Sequence, residues 1–282
     1  MSEAQRSTPD AVSVKALKVR GGAGLLPARL YRLRPVKTRA TGLIVLFHQG
    51  GFIGGSLDDC DELARALVLR SGFNVLSSAY TLACQQPFPA AVEDAYAVLQ
   101  WAARRPAVLG WSGEQLLTAG IEAGGNLAAV AALVARDRGG PALAGQILIM
   151  PMLDPGLTTG SMRELKSNPD VAGVADACAA GYRGYLPRVA DRMHPYASPL
   201  QSSRLKGLPA ALILSAQEDP LCDEAEQYGA RLAAAGTRAT VRRLASLPLN
   251  DGVARCRCAR EHSALEEIAS FISALQTPAG QS

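Results

Sequence analysis

A strand that turns abruptly into a helix constrains the fold of this chain more than any other feature. Residues 115–133 read QLLTAGIEAGGNLAAVAAL, an apolar strand that passes through Gly120 and Gly124 into a helix of small residues. Glycines two positions before and two after the middle residue let strand and helix approach closely. The middle residue, Glu122, is therefore predicted to lie on a tight turn above a sheet, at the N-terminus of the helix.

The rest of the sequence alternates between short apolar runs and helical periodicity. Alternation of this kind predicts βαβ crossovers and a mostly parallel central sheet flanked by helices, which is an α/β fold. An antiparallel hairpin is predicted at the start, over residues 12–19 and 25–31. The other predicted strands cover 42–47, 74–79, 115–119, 146–150, 210–216 and 239–244. The predicted helices cover 57–70, 90–104, 126–136, 223–235 and 261–275, with a short helix around 174–185.

Residues 1–282 are interpreted as one domain, which is an ordinary size for a single α/β unit. The segments 1–11 and 276–282 are polar and are expected to be flexible tails. Residues 155–200 are rich in Gly and Pro and interrupt the alternation. An insertion above the carboxyl ends of parallel strands is a natural lid over a site, so a small lid is predicted there.

Composition excludes several classes of function. The formal net charge is +4 and the basic residues are spread along the chain, which predicts no nucleic-acid partner. The N-terminus lacks the apolar core of a signal peptide and no apolar run reaches a membrane span, so a cytoplasmic protein with no membrane partner is expected. Six scattered cysteines without a C-x-x-C pair predict free thiols, no metal site and no cofactor.

A second glycine-rich turn, HQGGF at residues 48–52, follows the predicted strand 42–47. Backbone N–H groups in such a turn converge on one point, so Gly50 and Gly51 are predicted to form an oxyanion hole together with the N–H of Ala123. The neighbouring side chains are expected to line a small pocket that takes a small-molecule ligand or substrate. These pocket-lining residues are His48, Gln49, Phe52, Ile121 and Tyr80.

Several motifs in order carry a family resemblance. The chain reads HQGGF, YTLACQQPFPA, GIEAGGNLA and DPLCDE from residues 48, 80, 120 and 219. It resembles the bacterial hormone-sensitive-lipase-like esterases, which carry HGGGF, YRLAPEHPFPA, GDSAGGNLA and DPLRDE at these places. The resemblance covers about residues 12–275. It implies the α/β-hydrolase fold with a small lid, a truncated N-terminal cap, a carboxylesterase or lipase-type ancestry and a homodimer.

The departures from the family pattern fall on its catalytic residues. The resemblance aligns the serine nucleophile with Glu122 and the histidine with Asp251, and it retains the acid as Asp219. Three carboxylates are thus expected to converge. Like charges at that distance cannot all be ionised comfortably, so either one holds a proton or a cation lies among them. A Mg²⁺ or Ca²⁺ ion is a minor alternative.

These substitutions predict that ordinary serine esterase activity is absent. Our first hypothesis is a non-hydrolytic or altered enzyme that acts on a small carbonyl or ester-like metabolite. Glu122 would serve it as a general base or a nucleophile beside the oxyanion hole. A second hypothesis is an inactive pseudo-esterase that binds a ligand or a partner. A third is a residual hydrolase of the carboxylesterase or lipase type. All three remain open on the sequence, because a fold does not determine a function.

Overall fold

The computed structural model describes residues 11–35, 38–166, 172–245 and 254–276. The predicted tails lie almost wholly outside these ranges, and so does Asp251. Strands and helices alternate along the described chain. The strands are β1 (Val12–Arg20), β2 (Leu25–Leu33), β3 (Ala40–Phe47), β4 (Asn74–Ser78), β5 (Trp111–Ile121), β6 (Gly145–Ile149), β7 (Ala210–Ala216) and β8 (Ala239–Leu244).

The helices fall where the apolar periodicity predicts them, with three short additions, α3, α5 and α8. They are α1 (Asp61–Ser71), α2 (Ala90–Ala103), α3 (Pro106–Leu109), α4 (Ala123–Asp137), α5 (Gly160–Lys166), α6 (Ala172–Tyr185), α7 (Cys222–Ala234), α8 (Ala254–Ala259) and α9 (His262–Gln276). Helices of four to seven residues are too short to show a repeating apolar face, so their patterns predict nothing. Among the described residues, no helix is long and apolar enough to span a membrane.

The strands form one mixed sheet in the order β1-β2-β4-β3-β5-β6-β7-β8. The β1–β2 hairpin is antiparallel, and β2 pairs antiparallel with β4. All other neighbours, from β4 through β8, are parallel. The prediction of an α/β-hydrolase sheet, mostly parallel and entered through an antiparallel hairpin, is confirmed.

Alternate residues of the central strands belong to two separate cores. In β3, Leu43, Val45 and Phe47 pack into one core, and Ile44 and Leu46 pack into the other. A strand buried on both faces reads as a continuous apolar run, because successive side chains point to opposite sides. The first core is shared with α2, α4 and α6, and the second with α1 and α9.

Helix α4 lies so close to the sheet that only small residues fit at its start. A Cβ atom on Gly124 would lie 2.2 Å from the carbonyl oxygen of Phe47, and one on Gly120 would lie 2.0 Å from that of Gly124. Both distances are far inside van der Waals contact. The two glycines therefore permit the strand-to-helix turn that places Glu122 at the carboxyl edge of the sheet.

Candidate functional site

The turn between β5 and α4, which we call the elbow, holds Glu122 in a strained conformation. Its φ is 55° and its ψ is −114°, a backbone conformation that few L-residues adopt. The Glu122 N–H donates to the carbonyl of Ile149 at 3.0 Å, and its carbonyl accepts from the N–H of Met152 at 3.1 Å. Hydrogen bonds to the segment around β6 thus hold the elbow in place, and they direct the side chain above the sheet.

The glycine-rich segment 48–55, which we call the Gly turn, wraps the Glu122 carboxylate. The N–H groups of Gly50 and Gly51 both donate to Glu122 Oε2, at 2.7 and 3.0 Å. Both glycines have positive φ, and a Cβ on Gly50 would lie 2.3 Å from the carbonyl of Gly54. Ala123 is the buried first residue of α4. Two of the three predicted N–H donors therefore converge on one point, where they meet an oxygen of Glu122.

Arg255, on α8, bridges Glu122 and Asp219. Its Nη1 donates to Glu122 Oε1 at 3.0 Å. Its Nε and Nη2 donate to the two carboxylate oxygens of Asp219 at 2.8 and 2.9 Å, which is a bidentate pair. Asp219 is fully buried, and its Oδ1 also accepts from the N–H of Leu221 at 2.9 Å. The two predicted carboxylates are thus brought together through a buried guanidinium.

The electrostatics of this cluster keep Arg255 charged. Burial alone lowers the pKa of Arg255, but the charges of Asp219 and Glu122, with the hydrogen bonds to Asp219, outweigh burial and raise that pKa well above its ordinary value. One guanidinium balances one of the two carboxylates. The Gly turn and the N-terminus of α4 offer the second carboxylate three sources of positive potential: two N–H groups and a helix dipole.

The sequence prediction anticipated a cation or a proton between converging carboxylates, and it did not identify Arg255. Asp251, the third predicted carboxylate, lies outside the described residues. The sequence holds one signal for such an arginine. Buried carboxylates at the carboxyl edge of a sheet require a positively charged partner, so arginines near the position of the family histidine are candidates. Residues 254–260 read ARCRCAR and hold three arginines just after the position assigned to the family histidine. The short helix that orients one of them inward has no periodic pattern.

The side chains predicted to line a pocket are buried beside the Gly turn. The His48 ring stacks on Tyr80 with centroids 4.3 Å apart, and the Tyr80 hydroxyl donates to the His48 carbonyl at 3.1 Å. Burial lowers the pKa of His48, which keeps its imidazole neutral. Phe52 stacks on Tyr185 of α6 at 3.9 Å, and Gln49 and Ile121 are buried. The stacks of His48 and Phe52 hold the Gly turn in shape by packing, and Ile121 belongs to the second core.

Helix α6 and the start of α7 add a second buried polar group near the elbow. Glu224 Oε2 accepts from the N–H groups of Leu153 and Asp154, at 3.1 and 2.7 Å. Burial raises the pKa of Glu224 well above its ordinary value. Burial also raises the pKa of Cys178, on α6, to about 12. In both groups burial favours the uncharged form.

The geometry limits what Glu122 does chemically. Its Oε2 is held by two N–H groups and its Oε1 by Arg255, so both oxygens are already bound to donors. A substrate group that approaches either oxygen of Glu122 therefore competes with donors of the protein itself. Among the described residues, no group of three His, Cys, Asp or Glu side chains has the arrangement of a metal site.

Comparison with known proteins identifies the family. The profile of the family Abhydrolase_3, an alpha/beta hydrolase fold, matches residues 44–248. The chain is 40% identical over 241 residues to the carboxylic ester hydrolase LipN of Mycobacterium tuberculosis, covering 84% of this chain and 63% of LipN. It is 37% identical over 212 residues to the carboxylesterase NlhH of the same species, covering 75% of this chain and 66% of NlhH. The chain therefore spans slightly less than two thirds of these relatives.

Solved structures of esterases superpose on most of the chain. The hyperthermophilic esterase of the archaeon Pyrobaculum calidifontis is 36% identical with a TM-score of 0.85, over 93% of this chain and 83% of its own. The thermostable carboxylesterase EstE1, cloned from a metagenomic library, is 34% identical with a TM-score of 0.86, over 94% and 90%. This chain belongs to the α/β-hydrolase family of hormone-sensitive-lipase-like esterases, and the predicted resemblance is confirmed.

The first functional hypothesis, a non-hydrolytic or altered enzyme with Glu122 as base or nucleophile, is wrong. Relatives that are 34–40% identical over most of the chain are named as carboxylesterases, an arylesterase or a carboxylic ester hydrolase. The contacts of Glu122 give a physical reason, because the two oxygens that this chemistry needs already accept hydrogen bonds from Arg255 and the Gly turn. The carboxylesterase alternative agrees better with the comparisons.

Proposed function

We propose that this protein is a hydrolase of the carboxylesterase type that acts on small carboxylic esters. The observation that carries the proposal is the relationship to named ester hydrolases at up to 40% identity over 84% of the chain. The elbow, the N–H pair of the Gly turn and the acid Asp219 support it, because an esterase uses these three parts.

The proposal includes slow ester hydrolysis, because the elbow carries Glu122 instead of a serine. Glu122 supplies no hydroxyl for attack on an ester, and Arg255 cannot accept a proton because its pKa is raised well above the ordinary value. An active site of this class that lacks triad members keeps an acceleration of about 10³–10⁴-fold over water when its oxyanion hole is free. Here that figure is an upper bound, because Glu122 Oε2 accepts from the Gly50 and Gly51 N–H groups. We therefore expect hydrolysis that exceeds the buffer rate but stays far below that of a serine esterase.

Hydrolysis of p-nitrophenyl acetate and butyrate by the purified full chain tests the proposal. The wild type should exceed the buffer rate. The double variant Glu122→Ser with Arg255→His should raise that rate by on the order of 10²-fold or more, because it supplies a hydroxyl and a base beside Asp219. Glu122→Ser alone should give little gain. Rates equal to buffer for both the wild type and the folded double variant would exclude ester hydrolysis.

A second candidate function is ligand binding without turnover, and the Glu122–Arg255–Asp219 cluster favours it. Glu122 Oε2 already accepts from the N–H pair that an ester carbonyl would use. A ligand would then bind beside these N–H donors, which Glu122 already occupies. Thermal stabilisation by the amide analogue of the same ester, with no ester turnover, supports this candidate. Turnover of the ester contradicts it.

We also propose that residues 155–200 act as a lid over the elbow in a single-domain protein. Helix α6 packs on the Gly turn so closely that a Cβ on Gly181 would lie 2.5 Å from the Gly51 carbonyl. The stack of Tyr185 on Phe52 joins the same two segments. We further propose that the protein takes a small-molecule ligand. We propose that it forms a homodimer and is located in the cytoplasm.

A further inference from the structure

Two buried cysteines from distant parts of the sequence meet beside the cluster that holds Glu122. The Sγ atoms of Cys60 and Cys256 lie 3.9 Å apart, across a sequence separation of 196 residues. Both side chains are buried, with 0% and 4% of their surface exposed. The contact depends on neither the elbow nor the ester chemistry proposed above.

Each cysteine belongs to a segment next to the candidate site. Cys60 ends the 3₁₀ helix Leu57–Cys60, which follows directly on the Gly turn. Cys256 lies on α8, one residue after Arg255. A covalent bond between these sulfurs would therefore connect the segment that supplies the Gly50 and Gly51 N–H groups to the helix that supplies Arg255.

We propose that Cys60 and Cys256 form a disulfide when a low-molecular-weight disulfide oxidises them, and that this bond fixes α8 against the Gly turn. Both thiols lose their hydrogen and one sulfur–sulfur bond forms. The two electrons and two protons reduce the external disulfide to two thiols. A protein disulfide has an S–S distance of about 2.05 Å, so the two sulfurs must approach by about 1.9 Å.

The surroundings of the pair make this oxidation slow. The contact with Cys60 and burial raise the pKa of the Cys256 thiol far above its usual range, so little reactive thiolate is present at neutral pH. The ion pair between Glu62 of α1 and Arg260, the residue that follows α8, also joins these two segments. Cys84 is exposed, and Cys178 lies in the other core. Cys258 is buried in the same core as the pair, so the cross-link has to be assigned by peptide mapping.

Oxidation of the full chain in a Cys84→Ser background tests the proposal, because this change removes the exposed thiol. The protein is incubated with oxidised glutathione at mildly alkaline pH and then digested without reductant. We expect one cross-linked peptide pair, joining Cys60 to Cys256, with a loss of two hydrogens in the intact mass. We also expect a higher thermal midpoint, because closing a long loop restricts the unfolded chain.

Matched variants separate the pair from the other thiols. Cys60→Ala and Cys256→Ala should each abolish both the cross-link and the thermal shift. Cys222→Ala, which removes a buried cysteine that contacts Glu226 instead, should keep both. Thermal unfolding of each reduced variant shows that it is folded. A folded protein that keeps all its thiols after oxidation, or that links other cysteines, would overturn the proposal.

Discussion

At the scale of single residues, the main feature of the site is that its buried charges are balanced by other groups of the protein. Asp219 is fully buried, Glu122 is 8% exposed, and Arg255 lies between them. Removing charges from water is costly, and it is compensated only when each one finds close, well-oriented partners. Arg255 makes three hydrogen bonds to carboxylate oxygens, and the Gly turn makes two more. Each carboxylate oxygen of Glu122 and Asp219 therefore accepts from a described donor of the protein.

Arg255→Met should destabilise the protein strongly at neutral pH, because it leaves Glu122 and Asp219 buried beside each other without their cation. We expect a loss of about 3–5 kcal/mol in the free energy of unfolding. Arg138→Met is the matched control. Arg138 makes a bidentate pair with Glu93 in which each side chain is 39% exposed, so its loss should stay within about 1 kcal/mol. Denaturant unfolding of the three proteins measures the difference, and equal losses would contradict the balance argued here.

The same cluster shows why sequence reasoning found only part of the site. Glu122 and Asp219 stand in recognisable motifs, since glycines and a DPLCDE turn surround them. Arg255 stands in a run of alternating Arg and Cys within a six-residue helix, where no apolar period indicates which side chain points inward. Its role depends on contacts with Glu122, 133 residues away in the sequence, and with Asp219, 36 residues away. Local sequence spacing does not indicate such long-range contacts.

At the scale of elements, close packing sets the geometry of the Gly turn. The sequence predicts β3 and α4, because a continuous apolar run and a helix of small residues have clear patterns. It does not predict the contact of α6 with the Gly turn. That contact depends on Gly181, whose missing side chain admits the backbone of Gly51. A glycine within a helix shows no pattern that identifies its neighbour.

Gly181→Ala should therefore displace α6 from the Gly turn and destabilise the protein. The new Cβ would lie 2.5 Å from the Gly51 carbonyl oxygen, and the backbone on both sides must move. Overpacking of this kind costs about 1–3 kcal/mol. Gly173→Ala on the same helix is the control, since no atom of the described residues lies within 4 Å of its new Cβ. It should be neutral or stabilising by up to about 1 kcal/mol, because Ala favours helix. Thermal unfolding that ranks the variants in the opposite order would contradict this packing.

At the scale of the whole molecule, carboxyl groups with opposite pKa shifts determine how stability depends on pH. The guanidinium of Arg138 lowers the pKa of Glu93, and that of Arg243 lowers the pKa of Glu226. Their contribution is present above the unfolded pKa of about 4.3 and is lost as the pH falls through the lower folded values. Glu224 acts in the other direction, because burial raises its pKa. Its contribution is complete below about pH 4.3 and is lost as the pH rises toward the folded value.

Glu224→Gln should remove this alkaline loss of stability. The amide oxygen of Gln can still accept from the N–H groups of Leu153 and Asp154, and its NH₂ group carries no titrating proton. Between about pH 5 and about pH 8 the free energy of unfolding should change less favourably in the wild type than in Glu224→Gln, because Glu224 is the described carboxyl group whose pKa is raised in the folded protein. The lowered pKa of His48 acts in the opposite direction over this range, and it acts equally in both proteins. Glu93→Gln, an exposed acid with a lowered pKa, should keep the wild-type slope in this range. Denaturant unfolding at both pH values checks the slopes. If Glu224→Gln and the wild type have equal slopes, Glu224 is not the group that holds a proton in the folded protein.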